Sequence, residues 1–202
     1  MTVKVVQGDD GHAVRRTQAE RRASTRAALL AAARELFAAK GFAGAGREEI
    51  VERAGVTRGA MYHHFASKEA LFQAVYEACE EDVLGRVVIA AAAGGDPKEM
   101  LRLGSLAYLD VAAAEDVRRI CLIDAPAVLP TELRRELSER FGLGVIRDAL
   151  TECMEAGLIG EQPVDPLAHL LLAMLLEAAT LVAEGADRVA VGAVLDHVLD
   201  SL

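Results

Sequence analysis

The stretch REEIVERAGVTRGAMYHHF, residues 47–65, sets the strongest limit on how this chain folds. REEIVERAG reads as a short helix that ends at Gly55. After about three connecting residues, a second helix of two turns starts with Thr57 as its N-cap. A short helix, a glycine turn and a second short helix form the helix-turn-helix signature. Met61 and Phe65 stand four residues apart and share one face. Packed inward against Ile50 and the preceding helix, that face turns Arg58, Gly59, Tyr62 and His63 outward.

The flanking segments are helical too. STRAALLAAARELFAAKGF carries Leu29, Leu30, Ala33, Phe37 and Ala38 on one face. Ser24 is its expected N-cap and Gly41 its terminator. GFAGAG follows as a loop, with no Gly-Lys-Ser/Thr to make it a phosphate loop. Ser67 is the expected cap of a long helix through SKEALFQAVYEACEEDVLGRVVIAAAA. Beyond GGDP, helices are expected near 97–113, 116–124, 130–157, 164–184 and 187–201, with proline breaks in APAVLP and GEQPVDP. No segment alternates as a strand does. With 52 % apolar residues, rich in Ala and Leu and without Trp, the chain has the composition of an all-α fold.

Charge divides the chain in two. The formal net charge is −9, which alone argues against a polyanionic partner. From Gly11 to Lys68, however, eleven Lys and Arg face five Asp and Glu, a net of +6, and from Glu69 onward the net is −14. Only the front half suits a polyanion. The amino-terminal residues lack the apolar core of a signal peptide. PLAHLLLAMLLEAATLVA is interrupted by His169, Glu177 and Thr180, so it reads as a buried helix, with no membrane implied. Cys79, Cys121 and Cys153 are odd in number and widely spaced, as expected of reduced thiols in a cytoplasmic protein.

The stretch GFAGAGREEIVERAGVTRGAMYHHFASKEALF closely resembles the DNA-binding signature of the tetracycline-repressor-like (TetR) family of transcriptional regulators. Gly41, Phe42, Ile50, Ala54, Gly55, Val56, Thr57, Gly59, Tyr62, His64, Phe65, Lys68, Glu69 and Leu71 carry it. The resemblance implies an all-α protein. Residues 1–21, polar, Gly-containing and basic in their distal half, are expected from composition to be a flexible basic arm; the resemblance makes 22–68 a three-helix DNA-binding domain and 69–202 a helical effector-binding and dimerisation domain. It also implies a homodimer through the last two helices, a double-stranded DNA operator and a small-molecule effector. Repressor is the commoner role in the family. Ala45 and Gly46 stand where a capping Thr or Ser is usual, Arg47 where an apolar residue is common, and Ala60 where Thr or Ser is more usual.

Under that reading Tyr62 and His63 donate to phosphate oxygens, while His64 packs inward beside Phe65. Lys68 meets a phosphate at its helix terminus. Arg47 and Arg58 are candidates for base edges, or for phosphate. Thr57 combines capping with a phosphate bond. Gly46 and Gly59 let backbone approach DNA, Ala60 lies on the recognition helix, and Arg26 reaches a flanking phosphate or the minor groove. Adjacent His63 and His64 diverge by about 100° on a helix and lack metal-ligand partners. No nucleophile–base arrangement is visible either, so neither enzyme activity nor a metal or other cofactor is expected. The competing reading is a helical carrier or enzyme with a vestigial DNA-binding module. Tyr108, Cys121, Asp124, His169 and Glu177 are polar groups within apolar segments. They are candidate contacts for an apolar or amphipathic effector.

Overall fold

The structure, a computed structural model, describes residues 17–202, and every regular element among them is helical. The first helix, α1, spans Gln18–Gly44. Thr17 caps it: the Glu20 amide donates to Thr17 Oγ1 at 3.2 Å, and the Thr17 amide donates to Glu20 Oε2 at 2.7 Å. This reciprocal box satisfies two amides that the helix itself leaves unpaired. The expected start at Ser24 is therefore corrected, because Ser24 lies inside the helix. The helix takes in residues 18–21, the end of the stretch expected as an arm. Thr17 caps that helix, and residues 1–16 lie outside the described residues.

Gly41 breaks α1 with φ +69°, and the chain turns through Phe42–Gly44. A Cβ at Gly41 would sit 1.9 Å from an Arg119 guanidinium nitrogen. Gly41→Ala is therefore expected to cost at least about 1–2 kcal/mol, the usual penalty for a left-handed non-glycine residue. Displacing Arg119 would add to that. Thermal unfolding checks this, and an unchanged midpoint would contradict it.

Three short steps complete the front of the molecule. Helix α2 spans Arg47–Arg53, Gly55 supplies the turn at φ +65°, and α3 spans Arg58–His64. Helix α4, Lys68–Ala91, then runs on into the larger bundle. Thr57 and Ser67 cap α3 and α4 through the Ala60 and Ala70 amides, as their sequence positions led one to expect. Ile50, Met61 and Phe65 are buried together with Leu29, Leu36 and Phe37 of α1. Phe37, Phe42 and Phe72 pack as an aromatic triad, with Phe72 5.2 Å from each of the other two ring centroids.

The back half holds α5 (Pro97–Ala112), α6 (Glu115–Val117), α7 (Ala125–Val128), α8 (Thr131–Ser138), α9 (Gly144–Glu155), α10 (Val164–Ala183) and α11 (Arg188–Asp200). Two π-helical segments, Arg118–Asp124 and Glu139–Leu143, join α6 to α7 and α8 to α9. The helix expected at 116–124 thus runs on to Val128, and the break moves to Leu129 and Pro130. Pro126 does not end it: it follows directly on the π-helical segment, whose wider turn interrupts the regular α-helical hydrogen-bond ladder just before the proline. A π turn also interrupts the helix expected over 130–157. Within it a Cβ on Gly144 would meet the Glu139 carbonyl oxygen at 2.7 Å.

The expected boundary at 68/69 falls at the start of α4, yet the front core does not stop there. Ile120, Ala125, Leu129 and Leu137 belong to the same cluster as Phe37 and Phe72. Three polar ties reinforce it. The Phe42 amide donates to Asp124 Oδ2 at 2.7 Å, Arg34 Nε donates to Asp116 at 2.9 Å, and Arg34 also pairs with Asp82. A second core joins α5, α9, α10 and α11 through Leu109, Leu150, Leu171, Leu195 and their neighbours.

Candidate nucleic-acid interface and effector site

The front face gathers the residues expected to meet DNA. Gly46, Arg47, Thr57, Arg58, Gly59, Tyr62 and His63 are all exposed. Gly46 caps α2 with no side chain, and Arg47 opens that helix. Arg58 opens α3; its guanidinium lies 3.5 Å from Glu48 and 5.9 Å from the Tyr62 ring centroid. Among the described residues, no acid pairs with Arg47. A shallow hollow of about 180 Å³ separates α2 from α3, lined by Arg47, Val51, Arg58, Met61 and Tyr62 among others. A Cβ on Gly59 would meet nothing nearer than Thr57 Oγ1 at 4.0 Å, so backbone is accessible there. Ala60 is half-buried and gives its amide to Thr57.

The flanks of α3 are positive. Arg26 stands on α1 with its guanidinium 5.3 Å from the Phe65 ring centroid. His64 is half-buried, its ring 6.4 Å from that of Phe65. Burial, then His63, Arg22 and Arg26, hold His64 below the usual imidazole value. Lys68 places its ammonium 4.4 Å from the Phe42 ring centroid, so it packs on the aromatic triad as well as facing outward. Its pKa is lowered by burial and by Arg47. In both, burial is the larger cause, and neighbouring cations add to it.

The five residues expected to contact an effector do not come together. Tyr108 on α5 and Cys121 on the first π segment meet within the bundle. Asp124 is buried but already committed, accepting from the Phe42 amide and from Arg119 at 3.4 Å. It serves as a tie between the halves. His169 is exposed, and its Nδ1 lies 2.9 Å from the Asp165 carbonyl of its own helix. Glu177 is exposed on α10, beside an apolar groove of about 380 Å³ between α10 and α11.

Two further residues complete the buried polar group. Tyr76 and Glu80, both half-buried and one turn apart on α4, lie close enough to each other and to Cys121 to shift one another's titration. Burial raises the Glu80 carboxyl above its usual range and pushes both Tyr76 and Tyr108 up. The acidic run EACEED hid Glu80, since such a run usually marks a solvated face. The usable signal was that Tyr76, Cys79, Glu80 and Val83 share one helical face. Among the described residues, no three His, Cys, Asp or Glu side chains are placed to hold a metal ion.

Two family descriptions match this chain. Residues 98–202 match "Tetracyclin repressor-like, C-terminal domain", and residues 29–75 match "Bacterial regulatory proteins, tetR family". The chain belongs to the TetR family. Among TetR-family relatives, the regulator AcrR of Shigella flexneri is 30 % identical over 146 residues, covering 67 % of this chain and 66 % of its own. The activator FasR of Mycolicibacterium smegmatis is 36 % identical over 85 residues, 42 % of this chain and 39 % of its own. The matches thus span less than two thirds of these relatives' length. A TetR-family regulator from Pectobacterium atrosepticum has been solved with the same fold, at 33 % identity and a TM-score of 0.74, covering 92 % of this chain and 95 % of that one. FadR of Bacillus subtilis, solved with stearoyl-CoA, shares the fold at 22 % identity and a TM-score of 0.74, covering 87 % of this chain and 97 % of that one.

Proposed function

We propose that this TetR-family chain is a ligand-responsive repressor. In this reading it binds a palindromic operator as a homodimer and releases it on binding an apolar or amphipathic effector. The observation that carries the reading is the exposed set Arg47, Arg58, Tyr62 and His63 on α2 and α3, in an otherwise acidic chain. Helix α3 enters the major groove. Arg58 and Arg47 supply forked donors for base edges or phosphate, and Tyr62 and His63 bond phosphate.

The homodimer forms through α10 and α11. Helix α10 is long and apolar enough to cross a membrane by length and composition, but one of its faces lies in the bundle. The other face leaves Leu170, Leu176 and Leu181 exposed beside Val189, Val194 and Val198 of α11. A second copy covers them. Two α3 helices then reach successive major grooves, about 34 Å apart on a duplex.

The effector sits beside Tyr76, Glu80, Tyr108 and Cys121, where a few polar groups interrupt apolar walls. Binding there favours a spacing of the two reading helices that no longer matches the operator. The ties from Arg34 and Asp124 transmit the shift.

Arg58→Ala tests the reader. It is expected to weaken operator binding by about 1–3 kcal/mol, as for loss of one bidentate contact. Lys68→Ala is expected to weaken binding to all duplexes and to lower the salt slope by about one. Fluorescence anisotropy over a salt series checks both. Unchanged affinity in the two variants would remove α3 and the α4 terminus from the interface.

A further inference from the structure

The first π-helical segment, Arg118–Asp124, grips the front of the molecule where α1 kinks. At the kink Gly41 takes φ +69°, a backbone conformation that glycine adopts freely. The Arg119 guanidinium fills the space of the side chain that Gly41 lacks, since a Cβ there would lie 1.9 Å from Nη2. One residue on, the Phe42 amide donates to Asp124 Oδ2 at 2.7 Å. Arg119 Nε donates to the same oxygen at 3.4 Å. Ile120, between them in sequence, is buried in one cluster with Phe37 and Phe72.

The Phe42 ring carries this grip to the reading face. Its centroid lies 5.9 Å from that of Phe37 and 5.2 Å from that of Phe72. The Lys68 ammonium stands over the same ring, 4.4 Å from its centroid. A cation over an aromatic face is held there by the ring quadrupole. On the operator reading given above, we propose that Asp124 and Arg119 are positioning residues for DNA binding: they fix the Gly41–Phe42 kink, hold the Phe42 ring under Lys68, and so set how strongly Lys68 meets phosphate.

The kink needs such a hold. Glycine has the widest backbone freedom, so contacts must choose the direction in which the chain leaves α1. Asp124 suits the task because its side chain is only 12 % exposed. Removing a buried acceptor leaves the amide without a partner, which costs more than the bond itself contributes. The route to DNA is short: carboxylate, amide, ring, ammonium. It bypasses α3, whose cap comes from Thr57 and whose buried residue is Met61. Arg34 still joins Asp82 and Asp116 when Asp124 is lost, so the two halves stay connected.

The test is fluorescence anisotropy on the selected duplex over a salt series, with the full chain and its variants. Asp124→Ala is expected to weaken binding at least about 5-fold and to lower the salt slope by about one, as for one lost phosphate contact. Asp124→Asn, whose amide oxygen still accepts from Phe42, is expected to restore both. Adding Lys68→Ala to Asp124→Ala is expected to cost nothing further, whereas adding Arg58→Ala costs its full separate effect. Arg119→Ala, at a side chain 37 % exposed, gives the same coupling to Lys68 should Asp124→Ala fail to fold. Additive effects of the Asp124 or Arg119 variant with Lys68→Ala, an unaltered salt slope, or an Asp124→Asn as weak as Asp124→Ala would each overturn the proposal. Nuclear magnetic resonance reads the same contact without DNA. The Lys68 side-chain methylene protons are expected to carry an upfield ring-current shift that Asp124→Ala abolishes, and a shift unchanged in that variant would also overturn the proposal. If the unaltered chain bound no duplex, the operator reading would fall, while the ring-current shift still decided whether Asp124 holds Phe42 under Lys68.

Discussion

Phe72→Ala is expected to lower the unfolding free energy by about 3–5 kcal/mol, as for large aromatic truncations in a packed core. Phe72 is fully buried and sits at the centre of the triad, edge-on to Phe37 and Phe42. It belongs to α4, yet its cluster holds Ile50 and Met61 of the reader and Ile120 of the back half. Losing it opens a cavity shared by both halves, so the reader and bundle loosen together. For a chain of this size that corresponds to a fall of about 6–20 °C in the thermal midpoint. Phe42→Ala should cost less, because Phe42 is half-buried under Lys68. A Phe72→Ala penalty under about 1 kcal/mol would mean that the triad is not the hinge of the core.

Val194→Glu is expected to raise the dimer dissociation constant at least about 100-fold while leaving the subunit folded. Val194 is 66 % exposed in the single chain, so a glutamate there disturbs little within the subunit. In a symmetric dimer both copies carry the new charge into the covered face. An unpaired buried charge costs about 3–5 kcal/mol, and each 1.4 kcal/mol is tenfold in affinity. Sedimentation equilibrium reads the change, and an unaltered circular dichroism spectrum verifies the fold. Operator affinity should fall with the dimer, since a monomer holds one half-site. A variant that stays dimeric would place the interface elsewhere than on α10 and α11.

Local chemistry was legible in the sequence, and distant fit was not. Thr57, Ser67, Gly41 and Gly55 each act on amides or dihedrals within a few residues, and each does what its position implied. Ser24 misled because a serine before an apolar run looks like a cap. The box from Thr17 to Glu20 was the stronger signal, since it satisfies two donors at once. The π segments have no local code of that kind: they stand just before Pro126 and Gly144 within longer helical runs. Asp124 looked like a ligand group because it is an acid among apolar residues. Its partner, the Phe42 amide, is 82 residues away. The exposed reading face was legible because outward direction follows from the inward placement of Met61 and Phe65. The effector candidates were not, because the meeting of Tyr108 and Cys121, and the separation of the other three, depend on how distant elements stack.

Selection of duplexes from a random pool by the purified protein, followed by affinity measurement over a salt series, tests the central claim most directly. A palindromic winner bound far more tightly than random DNA would establish a dimeric operator reader. Its affinity should also fall steeply with salt, as expected where Tyr62, His63 and Lys68 meet phosphate. No enrichment, with weak binding that salt abolishes for every duplex alike, would contradict the account.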